Sequence, residues 1–213
     1  MTKAILALNV IVFLLTSTSQ GGSFGEGGGR LIADLALFGP AVESGELYRL
    51  VTSGFIHYGL IHILFNMVIL YRFGEMLEQA LGPVRMIGLY LASLLVGSFG
   101  ALLLSPNAFT GGASGAVFGL IAAAAIGQHQ RGIDVWQSGV GGLIVVNVEL
   151  TFALSNVSIG GHLGGLVGGF LVVAFMLRVP TTRRSVIDGT LVAAIVSALA
   201  VAGSLWAAGQ PLS

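Results

Sequence analysis

Seven stretches of the chain are almost uninterruptedly apolar, at residues 4–18, 60–71, 86–104, 113–128, 139–154, 161–177 and 190–208. Such runs predict helices that cross a bilayer, because about 20 apolar residues span its ~30 Å hydrocarbon core and a helix satisfies its backbone polar groups internally. The second run is short because His57, His62 and Asn66 interrupt its outer half, so its helix is expected to begin near Phe55 or Ile56. Polar groups at that depth are expected to face the bundle and not lipid. The pattern predicts an all-α polytopic membrane bundle of about seven transmembrane helices, forming one membrane-embedded domain over residues 1–213.

Charge fixes an orientation for these helices. With a cytoplasmic N-terminus, Lys3, Arg72, Arg85, Arg131, Arg178, Arg183 and Arg184 all fall inside, and only Arg30 and Arg49 fall outside, in the long first loop. The positive-inside rule therefore selects N-terminus in and C-terminus out. The first segment, with its basic start and apolar middle, also has the form of a cleaved signal peptide. A transmembrane helix there gives the later segments a consistent orientation. The second, fourth and sixth helices then all start at the outer face, and these carry His62 with Asn66, Ser114 and His162 near their starts.

Composition narrows the chemistry. The chain has 213 residues, 55% hydrophobic and 8% charged, with a formal net charge of zero, and its mean hydropathy is +0.95. No basic run exceeds Arg183-Arg184, so nothing points to nucleic acid. The absence of cysteine removes disulfides, thiolate metal sites and a thiol nucleophile. No His-Glu-x-x-His occurs and no aspartate lies in an apolar segment, which argues against zinc and aspartyl hydrolysis, so no metal or cofactor is expected. Most of the 33 glycines lie in or beside apolar segments, where they permit close helix packing. The first loop, residues 20–54, begins with a glycine run, expected to be flexible; residues 35–42 fit an interfacial stretch or a plain loop equally well.

Within this hydrocarbon background, a serine and a histidine set among glycines form a candidate functional pair, Ser114 in Gly112-Ala113-Ser114-Gly115 and His162 in Gly161-His162-Leu163-Gly164-Gly165. A serine attacks a carbonyl when a base takes its proton, and histidine suits that role near neutral pH. Gly115 and Gly119 on one helix and Gly165 and Gly169 on the other would let the two backbones approach closely enough for a Ser114–His162 hydrogen bond. Residues 114–128 span only about 21 Å, so Ser114 should lie below the outer surface, with the connection before it dipping into a wet recess. The Ser114 N–H at a helix start, with His62 and Asn66 on one helix face, would supply oxyanion donors. Taken singly, Ser114 reads as a packing residue, His162 as a satisfied buried histidine and Asn66 as interhelical glue. No acid lies near Ser114 or His162 in sequence, so no Ser-His-Asp triad is indicated. Glu149, the one acid inside an apolar segment, is expected with Asn147 to be a buried, hydrogen-bonded structural group or a residue of unknown role, not an orienting carboxylate.

These motifs resemble the rhomboid family of intramembrane serine proteases from about Glu46 to Leu177. Gly112-Ala113-Ser114-Gly115 is similar to the family's Gly-x-Ser-Gly motif, His62-Ile63-Leu64-Phe65-Asn66 to its His-x-x-x-Asn, and His162-x-x-Gly165-x-x-x-Gly169 to its catalytic-histidine helix. Glu46-Leu47-Tyr48-Arg49 sits where many members have Trp-Arg, and residues 74–85 resemble the family's cytoplasmic turn. Phe118 stands where many members carry a tyrosine packed on the histidine; it can stack there but cannot donate a hydrogen bond.

The resemblance implies a rhomboid-like bundle with a six-helix core at about residues 46–177 and an extra C-terminal helix at about 190–208. It implies a serine endopeptidase with Ser114 as nucleophile, His162 as base, and His62 and Asn66 as oxyanion donors. Its substrates would be single-pass membrane proteins cut near the outer ends of their helices in the lipid bilayer. Compact size and bare termini point to a bacterial plasma membrane. The alternatives are a non-catalytic helix-binding or chaperone-like relative and a small transporter; polar groups confined to the outer half argue against a transport path.

Overall fold

The structure, a computed structural model, describes residues 1–18, 29–153, 157–176 and 183–210. In chain order its helices are α1 (Thr2–Thr18), α2 (Arg30–Leu35), α3 (Gly39–Glu43), α4 (Arg49–Thr52), α5 (Leu60–Leu81), α6 (Pro83–Leu104), α7 (Ser114–Gln130), α8 (Val140–Ala153), α9 (Ile159–Met176) and α10 (Arg183–Ala208). The seven long helices stand on the seven apolar windows, as expected of an all-α membrane bundle. By length and composition α5, α6, α9 and residues Asp188–Ala208 of α10 can each cross a membrane, and Thr2–Ser17 and Val140–Phe152 are shorter apolar helices. The glycine run at 21–28 and Arg178, used for the orientation, lie outside the described residues.

The second long helix departs from expectation at both ends. It starts at Leu60 and not near Phe55, because Ser53–Phe55 form a 3₁₀ turn and residues 56–59 run on without helix. It also continues past Tyr71 to Leu81, where Gly82 at φ +83° ends it and Pro83 opens α6. This lower half is amphipathic: Leu70, Phe73, Leu77 and Leu81 are buried at helical spacing while Tyr71 and Arg72 are exposed. A search for unbroken apolar runs stops at such a boundary.

From Gly29 onward the first loop is folded, not plain. Arg49, only 6% exposed, donates from Nε to Glu46 Oε2 at 2.6 Å and from Nη1 to the carbonyls of Ala33 and Ala36 at 2.5 and 2.7 Å. One guanidinium thus ties the end of α2 to the start of α4, a use of its fixed fork of donors. The Tyr48 hydroxyl bonds the same Glu46 oxygen at 2.6 Å, and that bond, with Arg49, holds the Glu46 carboxyl below the ordinary carboxylate range. The loop is also clipped to the segment ahead of α7: Leu37 and Thr110 exchange two backbone bonds of 2.9 Å, and Phe38 stacks on Phe109 at 4.4 Å.

At the centre, α9 is packed backbone to backbone between α6 and α7. Gly160, Gly164 and Gly168 line one face, and a methyl group on Gly160 or Gly164 would strike the backbone of Gly100 or Val96. Gly161, Gly165 and Gly169 line the adjacent face, and a methyl group on Gly165 or Gly169 would strike the backbone of Gly115 or Gly119 on α7. From the other side, a Cβ on Gly97 would lie 2.9 Å from the Gly161 carbonyl oxygen. Two small-residue rows at i, i+4 and i+8 let three helices touch without intervening side chains, the packing that suits a solvent offering no hydrophobic drive.

Because backbone atoms cannot swing aside, Gly165→Ala is expected to lower stability in detergent by about 1–3 kcal/mol. Gly142→Ala, where an added Cβ meets nothing within 4 Å, is expected to be neutral or to stabilise by up to about 1 kcal/mol. Thermal unfolding of both variants checks the contrast; equal midpoints would contradict the packing described.

Candidate active site

Ser114 is the first residue of α7, and what precedes it sets its position. Gly112, at φ +137°, adopts a conformation that side-chain-bearing residues rarely take. The turn is fixed from the first loop: the Gly112 N–H donates to the Ser53 carbonyl at 2.9 Å, and the Ala113 N–H approaches Nε2 of the buried His57 at 3.5 Å. The first helical bond of α7 runs from Val117 N to Ala113 O, so the Ser114 N–H stands outside the ladder as an orphan donor at the positive end of the helix.

The missing side chain of Gly112 lets two polar side chains come close to its backbone. A Cβ there would sit 2.8 Å from His62 Nε2 and 3.5 Å from Ser114 Oγ. A histidine nitrogen and a serine oxygen therefore flank Gly112 at the start of α7, the histidine so close that an added methyl group would strike its ring. The His62 ring is packed edge-on to His57 at 4.9 Å and parallel to Tyr58 at 6.4 Å, and the Tyr58 hydroxyl donates to Phe109 O at 3.1 Å. Asn66, 5% exposed, lies one turn further along α5 and donates from Nδ2 to the His62 carbonyl at 3.0 Å. That bond uses one of the two amide protons of Asn66.

His162 reaches the same region from the first turn of α9. Its ring stacks on Phe118, one turn after Ser114, with centroids 4.2 Å apart and planes at 23°. Its Nδ1 lies 2.6 Å from Thr151 Oγ1 on α8. Gly115 on α7 faces the Gly161 carbonyl, where an added Cβ would stand at 3.2 Å, and Gly165 meets the Gly115 backbone. The backbone next to Ser114 thus rests directly on that next to His162. Among the hydrogen bonds of the described residues none joins Ser114 to His162. Among those residues also, no three His, Asp or Glu side chains converge to hold a metal ion.

Two polar residues of α8 need a correction. Glu149 is exposed and not a buried structural group. The buried polar residue of that helix is Thr151, 2% exposed, which shares a face with half-buried Asn147 at i, i+4, while Glu149 lies on the opposite side. Thr151 escaped the sequence reading, and the signal available was its spacing from Asn147. His57, which braces His62, was visible only as a polar interruption, and Tyr58 beside it was not singled out.

A polytopic helical membrane protein with a serine, two histidines and an asparagine drawn together at the starts of three helices is the class these features define. The profile of the Rhomboid domain matches residues 44–179, and the chain belongs to the rhomboid family. It is 32% identical over 176 residues to Rhomboid protease GluP of Bacillus subtilis (strain 168), covering 81% of this chain and 34% of that protein. It is 34% identical over 168 residues to RHOMBOID-like protein 7 of Arabidopsis thaliana, covering 73% and 52%. Against Rhomboid-like protease 1 of Toxoplasma gondii it is 32% identical over 145 residues, covering 64% and 50%. The chain thus spans a third to about half the length of these relatives.

The Phe118–His162 stack gives a direct test. Truncation to Phe118→Ala removes a ring that is 4% exposed and is expected to cost about 3 kcal/mol. It should also free the His162 ring, seen as a loss of its separate, ordered imidazole resonances by NMR. Unchanged His162 resonances would show that the ring is held without the stack.

Proposed function

We propose that the chain is an intramembrane serine endopeptidase that cuts single-pass membrane proteins near the outer ends of their helices. Ser114 is the nucleophile and His162 the general base; His62, Asn66 and the Ser114 N–H hold the oxyanion. Ser114 Oγ attacks the scissile carbonyl as His162 accepts its proton, the amine leaves with a proton returned by His162, and water hydrolyses the acyl-enzyme. The whole chain acts as one membrane-embedded domain, with a core at about 46–177 and the last helix at about 190–208 appended to it. Its N-terminus is cytoplasmic and its C-terminus outside, in a bacterial plasma membrane.

The observation that supports this reading is the convergence of His62 Nε2 and Ser114 Oγ on Gly112, at 2.8 and 3.5 Å from a Cβ built there. A substrate carbonyl approaching Ser114 Oγ would turn its oxygen toward a histidine donor and a helix N-terminus, the arrangement that stabilises a developing oxyanion. The positive φ of Gly112 and its contact with the His62 ring both disfavour a side chain at this position. Family membership supports the same chemistry, and the relatives named above include proteins named as proteases.

Purified protein in liposomes with a single-pass test substrate, whose helix has small and helix-weakening residues near its outer end, provides the test. The wild type is expected to release two fragments. Ser114→Ala and His162→Ala should each lower the rate by at least about 10³-fold, and Gly112→Ala, whose methyl group would strike the His62 ring, by about 10²-fold or more. A folded wild type that binds the substrate without cutting it, indistinguishable from Ser114→Ala, would establish a non-catalytic helix-binding protein instead.

A further inference from the structure

Thr151 Oγ1 makes two short contacts, one to the Asn147 carbonyl oxygen at 2.7 Å and one to His162 Nδ1 at 2.6 Å. Each of these distances needs a proton between the heavy atoms. A threonine hydroxyl has one proton and a backbone carbonyl has none. The proton toward Asn147 therefore comes from Thr151, in the i to i−4 bond common for threonine in helices. The proton toward His162 must come from the imidazole. His162 is thus the Nδ1–H tautomer, and its Nε2 bears the free lone pair.

Resting on the protease reading above, we infer that Thr151 is a positioning residue: it accepts the Nδ1–H of His162 and so presents Nε2, as a proton acceptor, to Ser114. The proton ledger closes through the reaction. The Ser114 Oγ–H proton passes to Nε2 as the Oγ–C bond forms and the carbonyl electron pair moves to oxygen. The imidazolium then holds one proton on each nitrogen, and Nε2 gives its proton to the amine as the C–N bond breaks. Throughout, Nδ1–H stays on Thr151 Oγ1 and the Thr151 proton stays on Asn147.

The assignment fits the surroundings. Thr151 is buried, 2% exposed, and Phe118 covers the imidazole face, so ring translation and rotation are constrained by different helices. A carboxylate in this place would stabilise the imidazolium more strongly but would bring a charge among apolar helices. A neutral hydroxyl orients the base without one. Because α8 carries the hydroxyl and α9 the base, the tautomer depends on the seating of α8 against α9.

Thr151→Val keeps the β-branched shape and removes the acceptor; Thr151→Ser keeps the acceptor. In liposomes Thr151→Val is expected to lower kcat about tenfold, the equivalent of one lost hydrogen bond, with KM for the single-pass substrate unchanged, and Thr151→Ser to restore kcat. Nitrogen-15 NMR of the imidazoles, with the His162 signals assigned by their loss in His162→Ala, should show Nδ1 protonated and Nε2 bare in the wild type, and a tautomer mixture in Thr151→Val. A wild-type imidazole bare at Nδ1, or full kcat in Thr151→Val, would overturn the inference. The spectrum is read whether or not the wild type cleaves. Inactivity of the wild type would therefore remove the protease reading, while the tautomer separately supports or overturns the Thr151 bond.

Discussion

Contact of α9 with the backbones of α6 and α7 is the constraint on which the remaining structure depends. In hydrocarbon, helices gain little from hiding apolar side chains, so they hold together where backbones approach closely and dispersion contacts are dense. Two glycine rows on α9, Gly160/Gly164/Gly168 and Gly161/Gly165/Gly169, provide that approach on two sides at once. His162 sits at the start of the same helix, beside Gly161, whose carbonyl abuts both Gly97 and Gly115. The position of the His162 backbone relative to that of Ser114 is therefore set by backbone contact.

The polar residues then occupy places that the glycine scaffold leaves open. Phe118 covers one face of the His162 ring and Thr151 receives its Nδ1. His57 and Tyr58 pack on the His62 ring, and Ser53 receives the Gly112 N–H. Phe118 comes from α7 and Thr151 from α8, while Ser53, His57 and Tyr58 all come from the stretch between α4 and α5. Arg49, by gathering Glu46 and the carbonyls of Ala33 and Ala36, keeps the first loop in the shape from which residues 53–58 reach the site. A buried cation that satisfies three acceptors is costly to replace by one that cannot.

Much of this was legible in the sequence. Seven apolar windows fell on the seven long helices because membrane helices are read from continuous apolarity, a signal that needs no knowledge of neighbours. The Gly165/Gly169 row was visible for the same reason, as small residues at a fixed helical spacing. The lower half of α5 was missed because its apolar residues form a stripe and not a run, and its start was misplaced because His57 lies in an irregular segment. The short helices α2 and α3 and the Arg49 lock depend on carbonyls, which no residue pattern displays. Thr151 stayed hidden because its partner comes from another helix, while the charge of Glu149 drew attention to the wrong face of α8.

The central claim is that this scaffold makes one serine nucleophilic through one histidine. Intact-mass analysis and peptide mapping after treatment with a fluorophosphonate test it most directly, on folded wild type and folded His162→Ala. The account predicts a single phosphonyl adduct on Ser114 in the wild type and none in His162→Ala. An unmodified wild type, an adduct on another serine, or equal modification of Ser114 without the histidine would contradict it.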